Sequence, residues 1–347
     1  MKVERVVLAR PRGFCAGVEM AIKALAWMCR VFEPPVYCYH EIVHNKVVVD
    51  RFVDMGVVFV DDVGQVPAGA PLMLSAHGSA PEVEAAARQS GGVLVNAVCP
   101  LVTKVHHEMK VRASKGYTVI YVGHAGHEEA IGTMAVAPEA VRLVESEAEV
   151  DALGELGDSV ALLTQTTLSQ AEAAGIKARA AERFTNLWSP GRSDLCFATT
   201  NRQAALSSIA DQVDTMIVVG SANSSNTLAL ERVARAAGCA RVIRLNTSDE
   251  LPGDLSGTVG VTAGASAPEE LVREVIAQLA PADGVTEVDV TDEDEYFPPP
   301  RELRDLARVI ATAVGAALGA PADASPPLAE DRQASASEAL DRLALHT

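Results

Sequence analysis

The chain has 347 residues, 48% apolar and 22% charged, the balance of a soluble globular protein with two or three domains rather than one core. A formal net charge of −17 argues against nucleic-acid binding, whose footprint is basic. There is no 18-residue apolar run and no signal-peptide pattern at the start, so a cytoplasmic location without membrane insertion is expected.

In chain order, β-branched runs that read as strands fall at 5–9, 35–39, 56–60, 72–76, 93–97, 118–123, 141–145, 160–164, 215–220, 241–246, 258–263 and 286–291. Helical patterns lie between most of them, as at 17–31, 102–115, 169–184, 225–237 and 268–281. Strand alternating with helix implies βαβ units and mainly parallel sheets. Twelve strands overfill one open sheet, and the uneven spacing near 100–115 and 184–213 suggests three small α/β domains. The expected division is 1–100 with 284–303 returning to it, then 101–195, then 196–283. Residues 301–318 read as one amphipathic helix with Leu303, Leu306, Ile310, Val314 and Ala317 on a single face. The remainder is rich in Ala, Pro and Ser, so 304–347 is expected to be a helical extension and a mostly disordered tail.

In open parallel sheets ligands bind beyond the carboxyl ends of the strands. The reactive residue types cluster at those positions: Cys15, His40 and His44, His77, Cys99, then His124, His127, Glu128 and Glu129, then Thr166 and Thr167, and Ser266. Six cysteines with no CxxC pair are not a disulfide framework in a reducing compartment. Cys15, Cys99 and Cys196 each sit near a helix start and lie far apart in the sequence. Three thiolates converging there would make a socket for a soft metal or an iron–sulfur cluster, with one coordination position left open. A free cysteine is ordinarily a small buried hydrophobe, and Cys29, Cys38 and Cys239 are read that way. The other polar groups have plain readings too. Glu128 and Glu129 suit a helix N-terminus, Ser224 and Ser266 suit N-caps, and Ser169 with Glu172 forms a capping box.

The loop VGSANSSNT at 219–227 offers many donors and no charge, which suits an anion held close to the backbone. There is no GxxxxGK[ST], and GHAGHEEAIG does not match GxGxxG. A short diphosphate held by His, Ser, Thr and Asn side chains fits better than a nucleotide.

The segments PRGFCAGV, HEIVHNK, SAHG, CPLVTKVH, GHAGH, TQTTLS, ATTNRQ, NSSN and GVTAGASAP occur in this order over residues 5–303. Together they resemble the 4-hydroxy-3-methylbut-2-enyl diphosphate reductase family, which closes the methylerythritol phosphate route to isoprenoids. The resemblance implies three α/β domains in a pseudo-threefold trefoil around one 4Fe-4S cluster, or 3Fe-4S after oxidation. It places the cluster ligands on Cys15, Cys99 and Cys196. It places diphosphate contacts on His44, His77, His127, Ser224, Ser225, Asn226 and Ser266, and hydroxyl handling and proton relay on Thr166, Glu129 and His127. An allylic diphosphate substrate and an electron donor such as ferredoxin or flavodoxin are the implied partners. Two other readings use the same cysteines: a zinc-dependent phosphohydrolase and a non-enzymatic iron–sulfur redox sensor. The family pattern does not account for the chain beyond about residue 303.

Overall fold

A computed structural model describes residues 2–318, 328 and 331–344. The chain begins with β1 (Lys2–Arg10), α1 (Ala16–Val31), β2 (Val36–Tyr39), α2 (Lys46–Asp54), β3 (Val57–Val60), β4 (Leu72–Leu74), α3 (Pro81–Gln89) and β5 (Leu94–Asn96). It continues with α4 (Pro100–Ser114), β6 (Thr118–Val122), α5 (Glu128–Ala135), β7 (Val141–Val144), α6 (Glu147–Ala152), β8 (Val160–Thr164), α7 (Gln170–Arg183) and β9 (Leu187–Trp188). It ends with α8 (Phe197–Ser207), β10 (Thr215–Val219), α9 (Ser225–Ala236), β11 (Arg241–Leu245), β12 (Ser256–Ala263), α10 (Glu269–Leu279), β13 (Val285–Asp289), α11 (Arg301–Leu318) and α12 (Ala336–Ala344).

The strands form three parallel sheets, in the orders β3-β2-β4-β5, β7-β6-β8-β9 and β11-β10-β12-β1-β13. This is the α/β class with parallel sheets expected from the alternating pattern. Each central strand is apolar on both faces because helices cover both; β8 and β10 are buried at every position. Among the described residues no helix is long and apolar enough to cross a membrane.

The three sheets share a layout. In each order the fourth strand, β5, β9 or β1, leads into a loop that ends at a cysteine and a helix: Cys99 before α4, Cys196 before α8, Cys15 before α1. The helix then packs on the next sheet. Ile22, Leu25 and Met28 of α1 share a core with Val36 and Met73 of the β2 sheet. Val105 and Met109 of α4 join Val119 and Leu163 of the β6 sheet. Ala205 and Leu206 of α8 join Val7 and Met216 of the β1 sheet. Each cysteine therefore stands at a joint between two sheets.

Three differences from the sequence reading have physical causes. The strand β1 is hydrogen-bonded between β12 and β13, with Val6 facing Val259 and Val285, so the first strand completes the third sheet rather than one with β2 to β5. Periodicity gives a strand's existence and not its neighbour. The short β9 was not expected, because two residues carry no alternation to detect. Part of the tail is ordered: a short 3-10 turn at Asp331–Gln333 and α12 follow, with Ala336 and Leu340 fully buried. The rest of the expected disordered tail, 319–327, 329–330 and 345–347, lies outside the described residues. On α11, Leu303 is buried while Ile310 and Val314 are exposed, so only the start of its apolar face is covered.

Because α1 joins two sheets through its buried face, Ile22→Ala is expected to cost about 2–5 kcal/mol, measured by chemical denaturation of the metal-free protein.

Candidate active site

Cys15, Cys99 and Cys196 are the N-cap residues of α1, α4 and α8, each in extended conformation. The amides of Gly17 and Val18, of Leu101 and Val102, and of Ala198 and Thr199 lie against the three sulfurs and favour their thiolates. Burial dominates and pushes all three thiols up, Cys196 to about 12. In an empty pocket they stay protonated; a bound cationic centre would reverse that balance. Gly17 is needed for the approach, since a Cβ there would lie 2.9 Å from Cys99 Sγ. The three thiols line one cavity, yet among the described residues their Sγ atoms do not all lie within 4.8 Å of one another. A single tetrahedral zinc with Zn–S near 2.3 Å needs its sulfurs within about 4 Å of each other.

Arg202 sets the joint geometry. Fully buried on α8, it donates through Nε to Gly13 O (3.0 Å), through Nη2 to Phe14 O (3.2 Å) and through Nη1 to Glu293 (2.9 and 3.0 Å) and Ala198 O (2.9 Å). It ties the loop before Cys15 to the helix after Cys196. Sequence reasoning gave Arg202 no role; a lone arginine in a helical pattern looks like a surface residue until the fold buries it.

The same cavity is lined by His44, His77, His127, Glu129, Thr166, Ser224, Ser225, Asn226 and Ser266. The residues to which the family resemblance assigns roles thus line one cavity, whereas His40, His124 and Glu128 are not among its lining. The polar ones come in pairs from the second and third strands of each order: His44 after β2 with His77 after β4, His127 and Glu129 after β6 with Thr166 after β8, and Ser224 to Asn226 after β10 with Ser266 after β12. Those are the points where strand order reverses, the usual crevice of an open α/β sheet.

The histidines form a compact set. The rings of His44 and His77 stack at 3.9 Å, and His127 meets His44 edge-on at 5.6 Å. Nδ1 of His127 accepts the Glu129 amide at 3.1 Å, capping α5, so the ring proton resides on Nε2. That Nε2 is buried and makes no hydrogen bond, nor do the nitrogens of His44 and Nε2 of His77, although Glu41 Oε2 lies 3.8 Å from His44 Nδ1. Burial pulls His127 down to about 4 and, with the neighbouring imidazoles, pulls His77 well below its ordinary value. Two neighbours were missed in assigning roles. His40 Nδ1 meets Glu128 Oε1 at 2.8 Å, which raises the His40 pKa, and Glu128 Oε2 lies 3.7 Å from His77 Nε2.

The third side is built from hydroxyls and amides. Ser224 caps α9 by accepting from Thr227 N, and Ser266 Oγ donates to His44 O at 2.9 Å. Asn226 Oδ1 accepts from Ala265 N (2.9 Å) while its Nδ2 donates to Thr199 Oγ1 (3.2 Å). Thr167 Oγ1 donates to Ser225 Oγ at 3.0 Å, and Gln165 Nε2 donates to both. Ser224 is a cap as well as a pocket residue. Pro268, rather than Ser266, caps α10, which leaves Ser266 free of that duty.

Glu129 is 2% exposed. Its Oε1 accepts Thr166 N at 2.7 Å and its Oε2 accepts Thr166 Oγ1 at 2.9 Å. Burial outweighs those two bonds and pushes its carboxyl up to about 7, with Asp194 adding a smaller push. A buried acid at that value can give up or take a proton at neutral pH.

A family model described as LytB protein matches residues 6–280. A curated relative from Rhodopirellula baltica, named 4-hydroxy-3-methylbut-2-enyl diphosphate reductase, is 46% identical over 310 residues, 87% of this chain and 97% of the relative. One of the same name from Mycobacterium ulcerans is 45% identical over 306 residues, 86% and 92% of the two chains. A solved reductase from Plasmodium falciparum superposes with a TM-score of 0.85 at 31% identity, covering 90% of this chain and 100% of that one. A second solved structure, titled as (E)-4-hydroxy-3-methyl-but-2-enyl diphosphate reductase, the terminal enzyme of the non-mevalonate pathway, gives 0.59 at 28% identity, covering 80% and 99%.

Arg202→Met leaves Glu293 without its cation and two loop carbonyls without donors. A loss of about 3–5 kcal/mol in stability is expected, read by thermal unfolding of the metal-free chain.

Proposed function

The chain belongs to the LytB protein family, and from that premise we propose that it is a 4-hydroxy-3-methylbut-2-enyl diphosphate reductase, an oxidoreductase of isoprenoid biosynthesis. The reaction removes an allylic hydroxyl as water, consuming two electrons and two protons, and yields isopentenyl and dimethylallyl diphosphate. One observation carries this reading: three thiols at helix N-cap positions, a rim of imidazoles, hydroxyls and an amide, and a buried acid poised near neutrality share a single cavity.

In this reading Cys15, Cys99 and Cys196 hold a 4Fe-4S cluster. When bound, it supplies the electrons and a Lewis-acidic iron. The protein's own groups do the rest. His44, His77 and His127 converge with Ser224, Ser225, Asn226 and Ser266 on the diphosphate. No Lys or Arg is among the described residues lining the cavity. Neutral donors and backbone amides at helix starts must therefore hold its charge. His127, fixed as an Nε2 donor, is a directional contact rather than a proton reservoir. The bound diphosphate orients the allylic end toward Thr166 and Glu129. Glu129 in its acid form passes its proton through Thr166 Oγ1, the atom already bonded to its Oε2.

The relatives are named as reductases and not as phosphohydrolases, and a redox sensor has no use for a poised carboxyl behind a diphosphate rim. The electron donor we assign is a ferredoxin or flavodoxin, and the compartment the cytoplasm.

Glu129→Gln is expected to keep the iron and the substrate affinity while losing turnover by about 10²–10⁴-fold. In the parent, turnover should fall as pH rises through about 7, because Glu129 then loses the proton it donates. Unchanged turnover in the glutamine variant would remove Glu129 from the proton path. Cys15→Ser, Cys99→Ser and Cys196→Ser should each bleach an anaerobically purified brown protein, whereas Cys239→Ser, in an apolar core, should not. Zinc without iron in the purified protein would overturn the whole reading.

A further inference from the structure

The family model ends at residue 280, and the ordered stretch at 331–344 lies well beyond it. That stretch is built into the body of the protein. Ala336 and Leu340 are fully buried in the core shared by α1 and the β2 sheet, where Leu328 also packs. Lys23 of α1 is 5% exposed, and its ammonium meets Asp331 Oδ2 at 3.1 Å, Asp331 O at 3.0 Å and Ala334 O at 3.1 Å. Tyr296 donates its hydroxyl proton to Asp331 Oδ2 at 3.0 Å. Glu19 accepts the Ala336 amide at 2.6 Å, a carboxylate on the N-terminus of α12, while Ser335 and Glu338 close a reciprocal capping box there. Arg51 of α2 reaches Asp341, and Ser337 reaches Glu270 of α10.

Glu19 and Lys23 lie in the first two turns of α1, the helix that starts at Cys15. They face the side of Ala16, while the thiol faces the cavity lined by Gly17 and Val18. The stretch therefore grips the first turns of the helix from behind its N-terminal thiol.

We infer that residues 331–344 form a strap that pins α1 and holds Cys15 in place for the metal centre. The strap acts on the cluster through α1 and does not touch the diphosphate rim. This rests on the reading of Cys15 as a cluster ligand, but the mechanical half of it can be tested without any metal.

The test uses the full chain carrying Lys23→Met or Leu340→Asp, with Ile217→Ala in the core of the third sheet as a control of comparable destabilisation. In the metal-free proteins, amide exchange at Gly17–Met20 should accelerate in both strap variants and not in the control. In the anaerobically loaded proteins, the visible chromophore should decay in air at least about threefold faster in both strap variants than in parent or control, with KM for the diphosphate substrate within about twofold of the parent. Parent-like exchange at Gly17–Met20 in both strap variants, or equal acceleration in the control, overturns the strap. Faster exchange with an unchanged chromophore lifetime overturns its link to Cys15. If Leu340→Asp fails to fold, Lys23→Met, which keeps an apolar stem of similar length, carries the same two readouts. If the parent itself takes up no iron, the proposed function fails while the exchange arm still decides the strap.

Discussion

The structure depends on one repeated joint, in which a strand of one sheet ends at a cysteine and the helix that follows packs on the neighbouring sheet. It occurs at Cys15, Cys99 and Cys196. Each helix is held by an apolar core of one sheet and started by a strand of another, so the three sheets cannot drift apart without pulling apolar side chains into water. The three thiols consequently face a common centre. The same geometry presents three helix N-termini to that centre, which is the electrostatic environment a thiolate-ligated cluster requires.

Around the thiols the pocket avoids fixed positive charge. Arg202 acts electrostatically on Cys15 and Cys196, but its donors are consumed by Gly13, Phe14, Ala198 and Glu293. What faces the cavity is a set of imidazoles whose burial disfavours charge, hydroxyls held by one another, and one carboxyl near neutrality. Such a site can admit an anion and deliver a proton without a lysine competing for either. The two adjacent acids of α5 show how finely direction divides labour. Glu129 turns inward to Thr166, while Glu128 turns across the gap to His40.

Much of this was legible in the residues. All twelve strand runs became strands, because β-branched alternation with helical spacers survives any choice of neighbour. Cys15 and Cys99 stood out because each falls where a strand hands over to a helix, and Cys196 because it falls near a helix start, which are local properties. Other features were hidden for local reasons as well. β9 is too short to show a period, and nothing in Arg202, Lys23 or Asp331 announces that each is buried and paired with a distant partner. The tail read as disordered because Ala, Pro and Ser dominate it; Ala336 and Leu340 anchor part of it in a core whose α1 residues lie more than three hundred positions earlier.

The amino-acid sequence on its own determined the elements, the class of sheet and the inventory of reactive groups at strand ends, since these follow from short-range periodicity and from which residues follow a strand. Only the tertiary structure decided that β1 closes the last sheet, that the strap lies along α1, and that Glu129 sits near neutrality. Strand order, distant docking and desolvation are set by contacts between segments far apart in the chain, and no local pattern encodes them.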